Sequence, residues 1–407
     1  MKLLNKLPKF TYPLLSNAFN NEDISCGIKV LKSKKITMGE ITKKFEKKFA
    51  KFIGSKYALM TNSGSSANLL ALSAIVNPTF KNRLNPGDEV LIPSVCWSTS
   101  LWPIVQNNLK PIFIDVDTDT LNISIEDIKK KISSKTRAIV CVHVLGVSSD
   151  MEKIKKICNK KKIIIIEDVC ESLGAKFNNK LLGNYGSFGT YSFYYSHQIT
   201  SGEGGMIVCN DKENYNLLKS LRSHGWSRDI ILKNHILKKY NSLDKRFLFI
   251  NSGYNLRPTE IQAAIANNQL KRLNEFIKTR DYNRNQIIKN LMQHPKWNNQ
   301  FKFVKINEKI KPSWFGLPIM LSEKFKNKKK KFLKYLTSVG IENRPILSGN
   351  FLNQPCIEIF NLNDKKQRFI NAQIIDDLGF FIGLHTSKIS TKTSKFLANN
   401  LLKIDHI

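Results

Sequence analysis

Residues 192–205 read Ser-Phe-Tyr-Tyr-Ser-His-Gln-Ile-Thr-Ser-Gly-Glu-Gly-Gly, and no other stretch says more about the fold. The apolar start and glycine-rich end predict a strand that runs into a tight turn, with His197 at the break. Imidazole can move protons near neutral pH, but it cannot form an imine as a lysine amine can. A lone histidine in such a place is more often a core residue, so a role as a base depends on motifs elsewhere in the chain.

Short apolar runs alternate with helical patterns through the first half of the chain. We expect strands at 57–61, 89–93, 111–115, 138–143 and 163–168, separated by helices such as 125–132 and 151–159. This rhythm predicts an α/β fold with a mostly parallel sheet wrapped by helices. A long helical pattern covers 258–293, so we expect a large domain at 1–290 and a smaller C-terminal α/β domain at 291–407.

Composition limits the classes of function. The 407 residues include 65 Lys and Arg against 32 Asp and Glu, a formal charge of +33, and the lysines are spread along the chain. We expect a solvated basic surface that favours a diphosphate-bearing substrate, with nucleic-acid binding as the weaker alternative because no recognition motif accompanies the charge. The seven cysteines form no Cys-x-x-Cys pair. Without a secretory signal or an apolar run of bilayer length, we expect reduced thiols, a cytoplasmic location and no membrane contact.

Two further motifs follow predicted strands. Residues 62–67 read Asn-Ser-Gly-Ser-Ser-Ala, so Ser65 and Ser66 lie where a helix start could bind a phosphate, although either is equally an ordinary N-cap. Asp168 ends the run 163–168, at the carboxyl edge where sites of parallel sheets collect. An aspartate after a strand is also a common helix N-cap.

Together these motifs resemble those of the fold-type I, PLP-dependent enzymes that act on nucleotide-linked sugars (DegT/StrS type). The resemblance covers about residues 39–383 and includes the motifs at 62–70, 223–229, 253–260 and 344–350. Most members carry, at the position of His197, the lysine that forms the Schiff base with PLP. The histidine therefore favours a dehydratase over an aminotransferase.

The resemblance implies roles for individual residues. Ser65, Ser66 and Ser192 contact the cofactor phosphate, and Asp168 holds the pyridine nitrogen so that the ring accepts electrons. Trp97 stacks on the ring, although core packing is the alternative. Glu171 stands where aminotransferases usually carry a glutamine near the ring hydroxyl.

The resemblance also implies partners. Asn255 would contact the cofactor phosphate of a second copy, and with Arg257 it would complete the neighbouring site of an obligate homodimer. Within the family the chain is most similar to the 4-keto-6-deoxysugar 3-dehydratases. We therefore expect C3 dehydration of a nucleotide-linked 4-keto-6-deoxyhexose, GDP-4-keto-6-deoxymannose being favoured. L-glutamate would regenerate pyridoxamine phosphate (PMP), ammonia would be released, and the product would serve surface polysaccharide synthesis.

Three alternatives remain open. A sugar aminotransferase would need a different base, and an inactive sugar-binding paralogue would have no reason to retain Asp168, Ser192 and His197 together. The CDP-4-keto-6-deoxyglucose branch carries a 2Fe–2S cluster, but residues 229–251 contain no cysteine, so we expect PLP or PMP alone and no metal. Both dehydratase branches often have a second histidine where this chain has Gln198.

Overall fold

A seven-stranded sheet forms the centre of the first half of the chain. The computed structural model describes residues 10–407 except 17, 38, 231–237, 363–367 and the side chain at 245. Within those residues the strands are β1 (Tyr57–Thr61), β2 (Glu89–Pro93), β3 (Lys110–Ile114), β4 (Thr136–Val142), β5 (Ile164–Asp168), β6 (Lys176–Phe177), β7 (Lys180–Leu181), β8 (Phe188–Ser192), β9 (Gly205–Cys209), β10 (Phe301–Lys302), β11 (Ile310–Lys311), β12 (Gly316–Leu321), β13 (Asn343–Arg344) and β14 (Gly379–Gly383).

The order of the large sheet is β1-β9-β8-β5-β4-β2-β3, and only β9 runs against its neighbours. The carboxyl ends of β1, β5 and β8 therefore lie at one edge of the sheet, together with the start of β9. β5 and β8 are short apolar runs buried on both faces, which is typical of strands covered by helices on each side. The predicted α/β fold with a mostly parallel sheet is confirmed.

Helices cover the sheets on both sides. In the described residues they are α1 (Asn21–Ser33), α2 (Glu40–Ile53), α3 (Gly64–Ile75), α4 (Ser98–Gln106), α5 (Ile125–Lys131), α6 (Met151–Lys161), α7 (Lys212–Arg222), α8 (Glu260–Leu270), α9 (Leu273–Met292), α10 (Lys329–Ser338), α11 (Pro355–Ile359), α12 (Ile370–Leu378) and α13 (Thr391–Leu401). The pattern predicted as one helix at 258–293 forms two, because the chain turns between α8 and α9. No helix of the described part is long and apolar enough to cross a bilayer.

An aromatic cluster anchors the stretch that follows β8. Phe45 and Phe49, one turn apart on α2, are fully buried and pack their rings against Phe193 at 5.6 and 5.7 Å between centroids. Fully burying a phenylalanine is worth about 1.5–3 kcal/mol. The packing fixes Phe193, and with it the start of the turn that carries His197.

The second half of the chain forms an antiparallel sheet in the order β10-β12-β14-β13. The N-terminal segment packs on this sheet: Tyr12 bridges to Ile341 and donates its hydroxyl to the carbonyl of Gly383 at 3.0 Å. β11 pairs with β6 of the first half. The predicted domain boundary at 290/291 falls inside α9 and stays a prediction. The residues near Tyr12, which the prediction assigned to the large domain, contact the second half of the chain.

Candidate active site

A cavity of about 490 Å³ opens at the carboxyl edge of the large sheet. Its walls include six of the side chains singled out from the sequence, which are Ser65, Trp97, Asp168, Glu171, Ser192 and His197. Ser66 and Asn255 are not among its lining residues. The volume is in the range of small-molecule sites in proteins.

The start of α3 forms one end of the cavity. Ser63 is the N-cap: its hydroxyl accepts the amide of Ser66 at 3.1 Å, and the Ser66 hydroxyl donates to the side chain of Asn62 at 2.6 Å. The Ser66 hydroxyl therefore belongs to the hydrogen-bond network of the helix cap instead of facing the cavity, whereas Ser65 is exposed to the cavity. The first amides of a helix have no intrahelical acceptor, so those of Gly64 and Ser65 suit an anion.

Close packing explains the glycines at this edge. A Cβ on Gly64 would lie 2.5 Å from the Cβ of Ser192, and one on Gly205 would lie 2.2 Å from the carbonyl oxygen of Ser63. Larger residues would push α3 away from β8 and β9. The glycines thus bring the Ser192 hydroxyl beside the helix start, where it extends the anion-binding surface.

Asp168 lies at the base of the cavity and is held by polar neighbours. One carboxyl oxygen accepts the amide of Asn68 at 2.8 Å and the hydroxyl of Ser100 at 2.7 Å, and the other accepts the backbone amide of Cys170 at 3.1 Å. Three donors suit an ionised carboxyl, which only accepts hydrogen bonds. No cationic side chain of the described residues pairs with it. The carboxyl can therefore receive a protonated ring nitrogen.

His197 faces the cavity from an apolar wall. Its Nδ1 lies 2.7 Å from the carbonyl oxygen of Cys170, and its ring packs edge-on against Phe315 at 5.1 Å and Tyr194 at 6.0 Å. A carbonyl can only accept, so Nδ1 carries the hydrogen and Nε2 keeps a free lone pair. Burial lowers the pKa of His197 to about 4, although the bond to Cys170 and the charge of Asp168 oppose that effect. The imidazole is therefore a neutral base near pH 7.

The pKa of Glu171 is raised, whereas that of His197 is lowered. Burial raises its pKa to about 8, and the charge of Asp168 adds to the rise, while the amide of Leu145 that donates to Oε2 at 2.9 Å opposes it. Leu145 has a positive φ of 49°, which places this amide in the turn after β4. At neutral pH Glu171 is mostly protonated and can donate a hydrogen bond into the cavity.

Three predicted residues stand apart from this geometry. Trp97 lines the cavity with 54% of its surface exposed and precedes α4, so its stacking role stays a prediction. Asn255 accepts a hydrogen bond from Arg257 at 2.9 Å, on a loop paired with Ser223. Neither Asn255 nor Arg257 is among the lining residues of the chain's own cavity, and their role across a dimer interface stays a prediction.

Sequence reasoning missed the residues that support these groups. Asn68 lies one turn after Ser65 on α3. This spacing places the two side chains on one face of the helix, so Asn68 could have been predicted as a site residue once Ser65 was. Phe315 reaches the cavity from the second half of the chain, and no local pattern marks it. Arg344 also lines the cavity and begins the motif at 344–350, but sequence reasoning assigned it no role. Gln198 is buried behind the cavity, where its amide donates to the carbonyls of Glu171 and Ser313.

The donor set fits a phosphorylated pyridine such as PLP. Helix amides and hydroxyls lie at one end of the cavity, a buried carboxyl with no cationic partner among the described residues lies at its base, and a neutral base faces it from the side. Three or more His, Cys, Asp or Glu side chains arranged to hold a metal do not occur in the described residues. Residues 231–237, within the segment without cysteine, lie outside the description, so the absence of an iron–sulfur cluster stays a prediction.

Comparison with known proteins gives consistent likenesses. A model of the DegT/DnrJ/EryC1/StrS aminotransferase family matches residues 18–388. GDP-4-keto-6-deoxy-D-mannose 3-dehydratase of Escherichia coli O55:H7 is 40% identical over 377 residues, which are 92% of this chain and 95% of that protein.

Two solved structures extend these likenesses to the fold. The E. coli GDP-4-keto-6-deoxy-D-mannose-3-dehydratase with bound hydrated PLP matches with a TM-score of 0.88 and 38% identity over 97% of this chain and 100% of that one. GDP-4-keto-6-deoxymannose-3-dehydratase with a trapped PLP-glutamate geminal diamine has the same score and identity over 96% of this chain and 100% of its own. The predicted fold-type I architecture is confirmed.

Proposed function

Because the chain belongs to the DegT/DnrJ/EryC1/StrS aminotransferase family, we propose that it is a PLP-dependent 3-dehydratase of a nucleotide-linked 4-keto-6-deoxyhexose, with GDP-4-keto-6-deoxymannose as the favoured substrate. One observation carries the proposal: an imidazole with a free Nε2, not a lysine amine, faces the cavity beside Asp168 and Glu171. The identity to a dehydratase of that name over most of the chain supports the choice of substrate.

The residues around the cavity would hold the cofactor without a covalent bond. The amides of Gly64 and Ser65 and the hydroxyls of Ser65 and Ser192 would bind its phosphate, and Asp168 would bind the ring nitrogen. When bound, PLP or PMP supplies an electron sink for breaking bonds next to an amine-linked carbon. Protonated Glu171 would donate a hydrogen bond to an acceptor on the ring.

His197 would be the base that moves protons in both halves of the reaction. Its Nε2 takes a proton while the Nδ1 hydrogen bond to Cys170 fixes the ring plane. In the overall reaction glutamate is oxidised to 2-oxoglutarate, ammonia is released, and the sugar loses its C3 hydroxyl. The water formed from that hydroxyl is balanced by the water that hydrolysis consumes, so no net water is released. The two electrons that glutamate gives up reduce C3 of the sugar. The edge-on rings of Tyr194 and Phe315 keep Nε2 in an apolar surrounding that favours its neutral form.

The site would be completed by a second copy of the chain. Asn255 and Arg257 lie on a loop that is not part of the chain's own cavity, which supports a homodimer in which the loop reaches the neighbouring cofactor. The seven cysteines are all unpaired, which is consistent with a reducing cytoplasmic location.

Product analysis tests the proposed function. Purified protein is incubated with PLP, L-glutamate and either GDP- or CDP-4-keto-6-deoxyhexose, and the sugar products are identified by mass spectrometry. We expect a 4-keto-3,6-dideoxy sugar from the GDP substrate and free ammonia in equal amount. A product that retains the glutamate nitrogen would make the chain an aminotransferase. Turnover only of the CDP sugar, with stoichiometric iron and a required reductase, would move it to the other dehydratase branch.

Borohydride treatment tests the non-covalent cofactor. PLP should copurify with the protein, yet reduction should leave no cofactor on any lysine, because position 197 carries no amine. The His197→Lys variant is the positive control and should yield a reduced adduct at residue 197. An adduct on an active-site lysine of the wild type would contradict the proposal.

A further inference from the structure

Arg280 is a buried guanidinium behind the wall that carries His197. It lies on α9 with 1% of its surface exposed, and it does not line the cavity. Within the described residues no carboxylate forms an ion pair with it, and its Nε has no hydrogen-bond partner. A buried charge without an ion partner costs several kcal/mol unless its surroundings compensate, so its retention calls for an explanation.

The contacts of Arg280 join the two segments that flank the imidazole. One terminal nitrogen donates to the carbonyl of Trp314 at 3.1 Å, and the other donates to the carbonyl of His197 at 3.4 Å. Trp314 is followed by Phe315, whose ring packs against the His197 ring. The guanidinium thus ties the backbone of the base to the backbone beside its packing partner.

Gln198 makes a parallel connection between the same segments. Its amide donates to the carbonyl of Glu171 and, at 3.1 Å, to that of Ser313. Arg280 and Gln198 together hold residues 197–198 against residues 313–315. Of the two side chains, only Arg280 carries a charge. Burial lowers the pKa of Arg280 to about 10, so the guanidinium is still charged at neutral pH.

We propose that Arg280 is a positioning residue for His197, which holds the imidazole in place by donating to two backbone carbonyls and places a positive charge behind it. This inference rests on the proposed role of His197 as the base. A cation close to a histidine disfavours a second positive charge on the ring, and it acts in the same direction as the apolar wall. His385, which stacks on Tyr12, has a pKa lowered first by burial and also by Arg280.

Several titratable or charged groups face His197 from the elements packed against it, and they are Asp168, Cys170, Glu171, Tyr194 and Arg280. Asp168 favours the charged imidazole, and Arg280 opposes it. Removing the guanidinium should therefore leave burial, the largest of these effects, to oppose the attraction of Asp168 without the help of the positive charge. The histidine would then take up a proton at a higher pH than in the wild type.

The test compares Arg280→Met, Arg280→Lys and Arg284→Met. Arg284 lies one turn further along α9 and stacks on the same Trp314 at 4.3 Å, so its variant is a matched control. NMR of ¹⁵N-histidine-labelled protein as purified follows the His197 ring, identified among seven histidines by its loss in His197→Asn. We expect the ring of the wild type and of Arg284→Met to stay neutral from pH 8 to 5.5, and the ring of Arg280→Met to take up its proton at a higher pH than the wild-type ring, while burial still holds that pH below the ~6.5 of free histidine.

Kinetics on the same proteins separate charge from position. We expect Arg280→Met to lower kcat about 10-fold or more, with KM little changed, because the base is displaced. Arg280→Lys should keep the neutral ring but recover kcat only in part, since one ammonium cannot span both carbonyls. The inference would be overturned if Arg280→Met had the same His197 titration and the same kcat as the wild type. If the methionine variant does not fold, full activity of Arg280→Lys would overturn it. The NMR result needs no substrate, so a failed product analysis would reject the proposed function without deciding this inference.

Discussion

The wall of the cavity that carries Asp168 is polar, whereas the wall that carries His197 consists of aromatic rings and backbone carbonyls. The first offers hydrogen-bond donors from Asn68, Ser100 and the Cys170 amide. The second surrounds the imidazole with Tyr194, Phe315 and one acceptor. Donors stabilise an anion, and an apolar surrounding stabilises a neutral base. The polar wall is therefore suited to an anion and the apolar wall to a neutral base, the two kinds of group that acid–base chemistry requires.

The largest effect should come from removing the base. His197→Asn keeps a polar side chain but no group that takes up protons, so we expect kcat to fall ~100–10,000-fold. Cofactor binding should persist because the phosphate and ring-nitrogen contacts belong to other residues. Single-turnover kinetics with glutamate, alongside the absorbance of bound cofactor, measure both quantities. Near-native turnover would show that the base lies elsewhere.

On the polar wall, Asn68→Ala removes one donor from the carboxyl of Asp168. We expect the affinity for the cofactor to fall about 10-fold, because hydrogen bonds to charged groups contribute roughly 1.5–3 kcal/mol. Equilibrium dialysis against PLP measures the change. Asn122→Ala is a matched control, since that asparagine is equally buried but donates to Val147 and does not line the cavity. It should lower stability and leave cofactor affinity unchanged. Equal losses of affinity in both variants would count against the role of Asp168.

The pH dependence of stability separates Glu171 from His197. The pKa of Glu171 is raised in the folded state, so the folded protein holds a proton that the unfolded chain releases between about pH 4.5 and 8. This contribution to stability is complete below that window and is lost as the pH rises through about 8. The pKa of His197 is lowered, and its contribution changes only between about pH 4 and 6.5, rising with pH.

Between pH 6.5 and 8, of these two groups Glu171 should dominate the change in the free energy of unfolding. We expect the free energy of unfolding of the cofactor-free protein to fall by about 1.5 kcal/mol over that interval, and to fall less in Glu171→Gln. Urea unfolding at the two pH values measures it. Glu203→Gln, which changes an exposed carboxyl at the same cavity, should behave as the wild type. An unchanged pH dependence in Glu171→Gln would show that this carboxyl is ionised at neutral pH.

The smallest effects should distinguish two neighbouring serines. Ser65→Ala removes a hydroxyl that lines the cavity, so we expect a several-fold weaker binding of PLP and little change in stability. Ser66→Ala removes a hydroxyl of the cap network, so we expect up to about 1 kcal/mol lower stability and a smaller change in affinity. Thermal unfolding and PLP titration of both variants measure the contrast. The opposite pattern would reassign the phosphate contact to Ser66.

The sequence by itself determined the fold and the edge of the sheet at which Asp168 and the serine motif lie. Apolar runs such as 163–168 mark strands that are buried on both faces, and Asp168 is placed at the end of its strand by that run alone. Parallel strands bring their carboxyl ends to one edge, so motifs that follow β1, β5 and β8 converge without knowledge of side-chain packing. The serine and glycine pattern at 62–67 predicted a helix start, although not which of the two serines faces the cavity.

Only the tertiary structure decided the surroundings of His197. Phe315, Trp314 and Arg280 are distant from it in the chain, and their local sequence shows nothing that separates them from ordinary core or helix residues. The sequence pattern predicted a single helix at 258–293 and gave no sign of the break before α9, the helix that carries Arg280. Helix capping and local periodicity involve residues a few positions apart and can be read from sequence. The charge state of a buried group depends on everything that packs around it, and that is fixed only when the chain has folded.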